Sequence, residues 1–188
     1  RSDIFIGFNQ EDSWEFIIFL LDFFDNQIKN NLINKTLGIK VNSIIKCKIA
    51  KCLNTSITEN INLFLILDLK KEFSTLNDCY RNYKDREKLN GDNKYFCEKC
   101  KKKIIASKRI EVKEWPKNIM IVLKRFEQIG HNVRKNNQKI NCPQEWRHGY
   151  KLNGGVYHSG SLNGGHYVYF GKKNNQWYLF NDSSISKL

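Results

Sequence analysis

Two short-range cysteine pairs place the strongest constraint on how this chain can fold. Cys47 and Cys52 enclose four residues, and Cys97-Glu98-Lys99-Cys100 is a tight CxxC. Four thiolates carried on two short loops satisfy a tetrahedral Zn2+ ion, which holds two hairpin tips together as a ribbon. Such a site is closed and structural, and does no chemistry. The same residues also read as reduced core cysteines, or as disulfides in a secreted chain. The CxxC spacing favours zinc, whereas the four-residue gap of the first pair is looser than a zinc ribbon requires. Cys79 falls in an apparent helix and Cys142 directly precedes Pro143, so each is expected to be a small buried hydrophobe.

A chain of 188 residues with 40% hydrophobic and 13% aromatic side chains can bury a core of its own. No apolar run approaches the ~18 residues of a membrane span, and no charged-then-apolar leader precedes a small-residue cleavage site. A soluble, thiol-reducing, intracellular setting is the expectation, cytoplasmic or nuclear, with no membrane partner. The net charge of +13 invites a nucleic-acid partner. Yet the lysines are scattered through an Asn- and Ile-rich chain, and Lys101-Lys102-Lys103 and Lys172-Lys173 fall where solvated loops or strand ends are expected. The charge is read mainly as a solvated face, which argues against nucleic acid and leaves room for a weak anionic partner.

Apolar residues at 16, 17, 19, 20, 23, 24 and 28 predict an amphipathic helix from Gln10 to about Asn30, with Asn9 or Asp12 as its cap. Residues 61–69 read as one buried strand and Thr75 to Lys84 as a short helix. From Ile104 onward the pattern is almost wholly β, with strands near 104–114, 118–126 and 150–158, and an exposed polar loop from Asn132 to Asn141. No repeat or linker suggests an internal boundary.

The chain closes on two aromatic and β-branched stretches, 165–170 and 177–182, around the turn-like segment 171–176. They predict an antiparallel hairpin. If Phe170 pairs with Trp177, His166 directly faces Asn181, with Cβ atoms roughly 5 Å apart. An amide oxygen there accepts the imidazole N–H, fixes its tautomer and aims the other ring nitrogen at a thiol, as in thiol proteases. A lone histidine is more often a satisfied residue at a strand end. Gly164 and Gly165 beside the ring, together with the register, favour a site.

These features combine into a resemblance. Phe5-Ile6-Gly7-Phe8-Asn9-Gln10-Glu11-Asp12-Ser13-Trp14-Glu15-Phe16 resembles the glutamine-rich helix box of the ubiquitin-specific proteases, the papain-like cysteine deubiquitinases. Cys52 with Ser56, then Leu67-Asp68-Leu69, is similar to that family's first zinc knuckle and following strand. Leu76-Asn77-Asp78-Cys79, Glu87, Leu89, Gly91, Asn93, Tyr95 and Cys97/Cys100 follow in the family's order. Pro116 to Phe126 resembles its central strand, and Tyr157-His158-Ser159-Gly160 with Gly164-Gly165-His166-Tyr167 its histidine box. The resemblance implies an α+β, papain-like fold in which fingers and a palm sheet accompany an N-terminal thumb helix, present here as a partial domain. The expected regions are 1–35 around the helix box, 40–115 as fingers and 116–188 as palm.

Carried over residue by residue, the resemblance implies that His166 is the general base, that Asn181 orients it and that Asp182 shares or supports that role. Asp12 and Glu15 match the acids that receive the basic tail of ubiquitin, a sensible pairing of carboxylate with arginine; otherwise they are an acidic first turn that favours the helix dipole. Gly164, Gly165 and Tyr167 belong to the loop over that tail, and the glycines let a Gly-Gly terminus approach the backbone. Cys47, Cys52, Cys97 and Cys100 map to the zinc of the fingers, which grip ubiquitin or a ubiquitinated protein. His158 reads as structural.

One departure bears on activity. The family's nucleophile sits in an N-terminal box of Gly, Asn, Cys and aromatic residues that also supplies an oxyanion-hole side chain, and no such box is found in this sequence. The expectation is the carboxyl-terminal part of a deubiquitinase, inactive by itself; the alternatives are a catalytically dead ubiquitin-binding module and, with less support, a zinc-ribbon nucleic-acid binder.

Overall fold

A computed structural model describes residues 5, 11–28, 30–130, 132–161 and 164–188. Asn9 and Gln10, the expected cap and start of the first helix, lie outside the described residues, as does most of the helix box ahead of Glu11. Two compact units emerge, one formed by 31–124 and the other by 1–30 with 125–188.

Helix α1 (Ser13–Ile28) opens the discontinuous unit. Asp12 caps it: its carboxylate accepts the Trp14 N–H at 2.6 Å, and its carbonyl accepts from Phe16 N at 3.0 Å. Phe5 packs edge-on to Phe16 at 5.4 Å between ring centroids.

Residues 31–124 carry α2 (Leu32–Leu37), β1 (Ile39–Cys47), β2 (Thr55–Asn62), β3 (Phe64–Asp68), α3 (Leu76–Lys84), β4 (Glu87–Leu89), β5 (Tyr95–Cys97), β6 (Lys102–Ile104), β7 (Ala106–Glu114) and β8 (Met120–Lys124). A four-stranded sheet runs in the order β2-β1-β7-β4, and β3 pairs in parallel with β8. The parallel pair needs a crossover, and α3 lies within it. Leu65 and Leu67 on β3, with Leu76, Cys79 and Tyr80 on α3, are buried in the core of this unit. Thr75 caps α3 through a reciprocal capping box with Asp78, which ends the irregular chain where the sequence predicts a helix start. Cys79 is fully buried, as expected of it.

Several expectations are corrected. The single strand over 61–69 is two, because the chain bends at Leu63 between β2 and β3. The hairpin tip expected at Cys47 and Cys52 is the β1–β2 turn, whereas the extent of β1 and β2 and the short helix α2 are not anticipated from sequence. Cys142 is exposed, not buried.

The second unit continues with β9 (Phe126–Ile129), β10 (Asn132–Lys135), β11 (Glu145–Trp146), β12 (Tyr150–Lys151), β13 (Gly154–Ser161), β14 (Gly164–Lys173), β15 (Gln176–Asn181) and β16 (Ser184–Lys187). The expected loop from Asn132 begins instead as β10, paired with β9. The chain beyond it is held by Arg125, whose Nη1 donates to the carbonyls of Asn136 at 3.0 Å and Gln138 at 2.7 Å.

Strands β13-β14-β15-β16 form an antiparallel sheet whose register departs from expectation. Phe170 pairs with Leu179 and Trp177 with Lys172, two residues off the Phe170–Trp177 pairing. The turn is the Asn174-Asn175 pair, with φ of 50° and 66°, in place of a six-residue loop. Two left-handed residues make the tight turn whose twist suits a hairpin, and asparagine tolerates that conformation. A slip of two preserves the face of every side chain, so His166 and Asn181 stay on one side of the sheet.

Candidate functional site: a histidine–asparagine pair and a four-cysteine cluster

His166 lies on β14, opposite Ser159 of β13. Asn181 ends β15 and pairs with Ser184 of β16, so the two side chains meet diagonally and not as direct ladder partners. His166 Nε2 is 2.5 Å from Asn181 Oδ1. An amide oxygen only accepts, so the proton on this imidazole belongs on Nε2, and the Nδ1 lone pair is left to take a proton from another group. Asp182 follows in the left-handed conformation, φ 49°, and its Oδ2 is 4.0 Å from the same ring nitrogen. At that distance the carboxylate can pair with the ring only when the ring is charged. The His166 side chain is 45% exposed, so the pair faces solvent.

The opposite face of the sheet supports this arrangement. His158 and Tyr167 are cross-strand partners with ring centroids 4.4 Å apart. Lys135 Nζ donates to the carbonyls of His158 at 2.9 Å and Gly160 at 3.0 Å, on either side of the residue that pairs with His166. Burial pushes the His158 imidazole below its ordinary value, Lys135 lowers it further and Asp12 pulls the other way. Burial and then Asp12 push the Tyr167 phenol up, while bonds to Ser13 oppose them. Tyr167 and His158 are thus tied to the start of α1. Lys135 was missed from sequence because a cation in a polar run has no local signature of a carbonyl clamp.

Asp12 is committed to its cap by one carboxylate oxygen, whereas Glu15 is exposed. Gly164 and Gly165 are exposed at the start of β14. A Cβ at Gly165 would collide with the Ser159 carbonyl and the His158 ring, so the close approach requires glycine.

The second site is in the 31–124 unit. The Sγ atoms of Cys47, Cys52, Cys97 and Cys100 all lie within 4.8 Å of one another, with Cys47–Cys100 at 3.9 Å and Cys52–Cys97 at 3.8 Å. Thiolates ~2.3 Å from a tetrahedral zinc sit about 3.8 Å apart, so the spacing fits that ion. Ile49 N donates to Cys47 Sγ at 3.5 Å and Asn54 Nδ2 to Cys97 Sγ at 3.8 Å, bonds suited to thiolate ligands. Burial raises the Cys97 thiol, but N–H groups of Cys100 and Lys99 and the neighbouring thiols outweigh it and bring it down to about 7. Cys100 is pushed up to about 12 by Cys52 first, then by burial and the other two sulfurs. The cluster can hold a metal ion. Of the other two cysteines, Cys79 is inaccessible on α3, and burial of the Cys142 sulfur pushes its thiol up despite the exposure of the residue.

Residues 1–188 match the family described as Ubiquitin carboxyl-terminal hydrolase. Ubiquitin carboxyl-terminal hydrolase 16 of Arabidopsis thaliana is 32% identical over 213 residues, covering 97% of this chain and 21% of that protein. Probable ubiquitin carboxyl-terminal hydrolase 16 of Schizosaccharomyces pombe is 30% identical, covering 98% of this chain and 45% of that protein. The chain therefore spans less than half the length of these relatives. A chain of the SAGA Ubp8/Sgf11/Sus1/Sgf73 DUB module, solved bound to ubiquitin aldehyde, superposes with a TM-score of 0.82 at 27% identity, over 97% of this chain and 46% of that chain. The α+β fold expected from sequence is the fold found.

Proposed function

Because this chain belongs to the ubiquitin carboxyl-terminal hydrolase family, we propose that it is the carboxyl-terminal part of a thiol-dependent deubiquitinase that hydrolyses the bond after the C-terminal glycine of ubiquitin. The observation that carries the reading is the His166–Asn181 hydrogen bond, which leaves Nδ1 as the base. In this reading His166 takes the proton of a cysteine thiol, and the thiolate attacks the glycine carbonyl. The imidazolium, steadied by Asn181 and Asp182, then protonates the leaving amine. Water, deprotonated by the same nitrogen, releases the acyl group.

The nucleophile and the oxyanion-hole donor come from residues outside these 188. Four of the six cysteines form the cluster, Cys79 is buried, and the raised Cys142 thiol suits a nucleophile poorly. Asp12 and Glu15 receive the basic tail of ubiquitin through one free carboxylate oxygen and an exposed carboxylate. Gly164 and Gly165 give its glycines room, beside Tyr167. Cys47, Cys52, Cys97 and Cys100 would hold Zn2+, which ties the β1–β2 tip to the β5–β6 tip and takes no part in the reaction. A thiol-reducing compartment, cytoplasm or nucleus, suits such a protein.

The test is to express the protein with any residues encoded ahead of Arg1 and treat it with ubiquitin bearing a thiol-reactive C-terminus. Covalent labelling that disappears in His166→Ala is the expected result. A folded product that binds ubiquitin and never labels would overturn the enzymatic reading in favour of a binding module.

A further inference from the structure

A cavity of about 790 Å³ opens in the 31–124 unit, lined by none of the residues of the histidine pair. Six of its lining side chains are cationic, Lys48, Arg86, Lys88, Lys94, Lys102 and Lys103, against one carboxylate, Glu87. The ratio of six to one exceeds what composition alone gives, since the chain carries 32 Lys and Arg to 19 Asp and Glu. The cations come from separate segments: Lys48 just after β1, Arg86 just before β4 and Lys88 on it, Lys94 just before β5, and Lys102 and Lys103 on β6. Glu87 is drawn to Lys108, 3.9 Å away and outside the cavity, and none of the six cations has a carboxylate partner among the described residues. A tetrathiolate zinc cluster nearby would carry a net double negative charge, too little to neutralise the lining. A second, smaller concavity shares Arg86 and adds Lys46, Lys108 and Arg109, so the positive surface continues beyond the first.

The lining is not wholly charged. Ile49, Ile104 and Ile105 also line the cavity; Ile104 is buried in the cysteine cluster with Ile49 packed against it, and Ile105 is exposed. No aromatic side chain lines the cavity, whereas single-stranded nucleic acid is held by aromatic stacking along a groove. Its volume falls within the ~300–1,000 Å³ of small-molecule sites.

We propose that this cavity binds a compact, multiply phosphorylated small molecule whose phosphates are held by its cationic side chains. Arg86 supplies a bidentate fork, and the lysines act as point charges. The shared chemistry is a cluster of phosphomonoesters on one ring, whether free in solution or on a lipid headgroup.

Inositol hexakisphosphate, titrated calorimetrically into the zinc-supplemented chain at physiological salt, probes the site. The triple variant Arg86→Gln, Lys88→Gln, Lys103→Gln is expected to weaken binding about thirtyfold, from about threefold per exposed contact. The comparison triple Lys113→Gln, Lys117→Gln, Lys151→Gln, exposed lysines outside the cavity, should stay within about twofold. If the first triple loses its cooperative melt, Arg86→Gln alone serves, with about a threefold loss expected. Vesicles carrying a bisphosphorylated phosphoinositide, against phosphatidylserine vesicles of equal charge, separate the sources. Selective vesicle binding that the first triple abolishes assigns a lipid headgroup, and binding of the soluble probe alone assigns a free ligand. No binding, equal losses in both triples, or a single-stranded oligonucleotide bound as tightly as the probe would each overturn the proposal.

Discussion

Asn181 meets His166 across a diagonal of the sheet, with Oδ1 2.5 Å from Nε2, although the β14–β15 ladder itself ends at Tyr169 and Phe180. The contact therefore depends on the side chain and not on backbone pairing. Asn181→Ala in the full-length protein should lower kcat on the order of 10²-fold and leave KM nearly unchanged. Asn181→Asp, which still accepts from Nε2, should retain most activity. Ubiquitin-amide hydrolysis kinetics read both; a large KM effect with unchanged kcat would place Asn181 in substrate binding instead.

His158 makes stability depend on pH. Its folded value lies below the ordinary 6.5 because of burial and Lys135. The unfolded chain therefore takes the proton first as pH falls, and the folded state loses stability from about 6.5 downward, fully so once pH passes the folded value. Thermal melts should drop between pH 7.5 and 5.5, and His158→Gln should flatten that dependence. Carboxylates such as Asp78, held below 3.8 by Thr75 and the Ser74 N–H, act in a separate, more acidic window. An unchanged slope in His158→Gln would assign the effect to other groups.

The parts of the fold most legible in sequence have a local chemical signature. Thr75 to Lys84 reads as a helix from its residues, and the structure adds the Thr75–Asp78 capping box; the cysteine spacings announce a four-thiol cluster, and the hydrophobic pattern of the last two strands puts His166 and Asn181 on one face. Strand β1 was illegible because its buried residues, Ile39, Val41, Ile44 and Cys47, break the two-residue period, and its register to β7 shifts between Lys40 and Val41. The final hairpin was placed on the correct face but in the wrong register, since Asn174-Asn175 is a less obvious left-handed turn than Asn-Gly. The Lys135 clamp is a contact between residues far apart in sequence, and no local pattern encodes it.

The cysteine cluster joins the β1–β2 tip to the β5–β6 tip, where Cys47, Cys97, Ile104 and Ala106 form a small separate core. Structural zinc in such sites is worth about 10 kcal/mol or more of apparent binding free energy. Chelation, or Cys52→Ser, should abolish the cooperative melt of this region, and hydrogen exchange should report loss of protection over 45–54 and 95–106. An unchanged exchange pattern after metal analysis shows no bound ion would mean that the hydrophobic contacts alone hold the tips.

Gly164 and Gly165 are adjacent and both exposed, yet they differ physically. A Cβ on Gly165 runs into the Ser159 carbonyl and the His158 ring, whereas one on Gly164 meets no atom within 4 Å among the described residues. The β13–β14 pairing must therefore open, or the His158 ring must leave Tyr167, to admit an alanine at 165. Gly165→Ala should cost about 1–3 kcal/mol by overpacking, and because Ser159 is the ladder partner of His166 it should also lower kcat. Gly164→Ala should leave the melt unchanged within ~0.5 kcal/mol. Denaturant unfolding of the two variants side by side decides it: equal, small effects would mean that the ring and carbonyl yield freely, and that the glycine at 165 serves the approach of the substrate backbone and not the packing beneath the histidine.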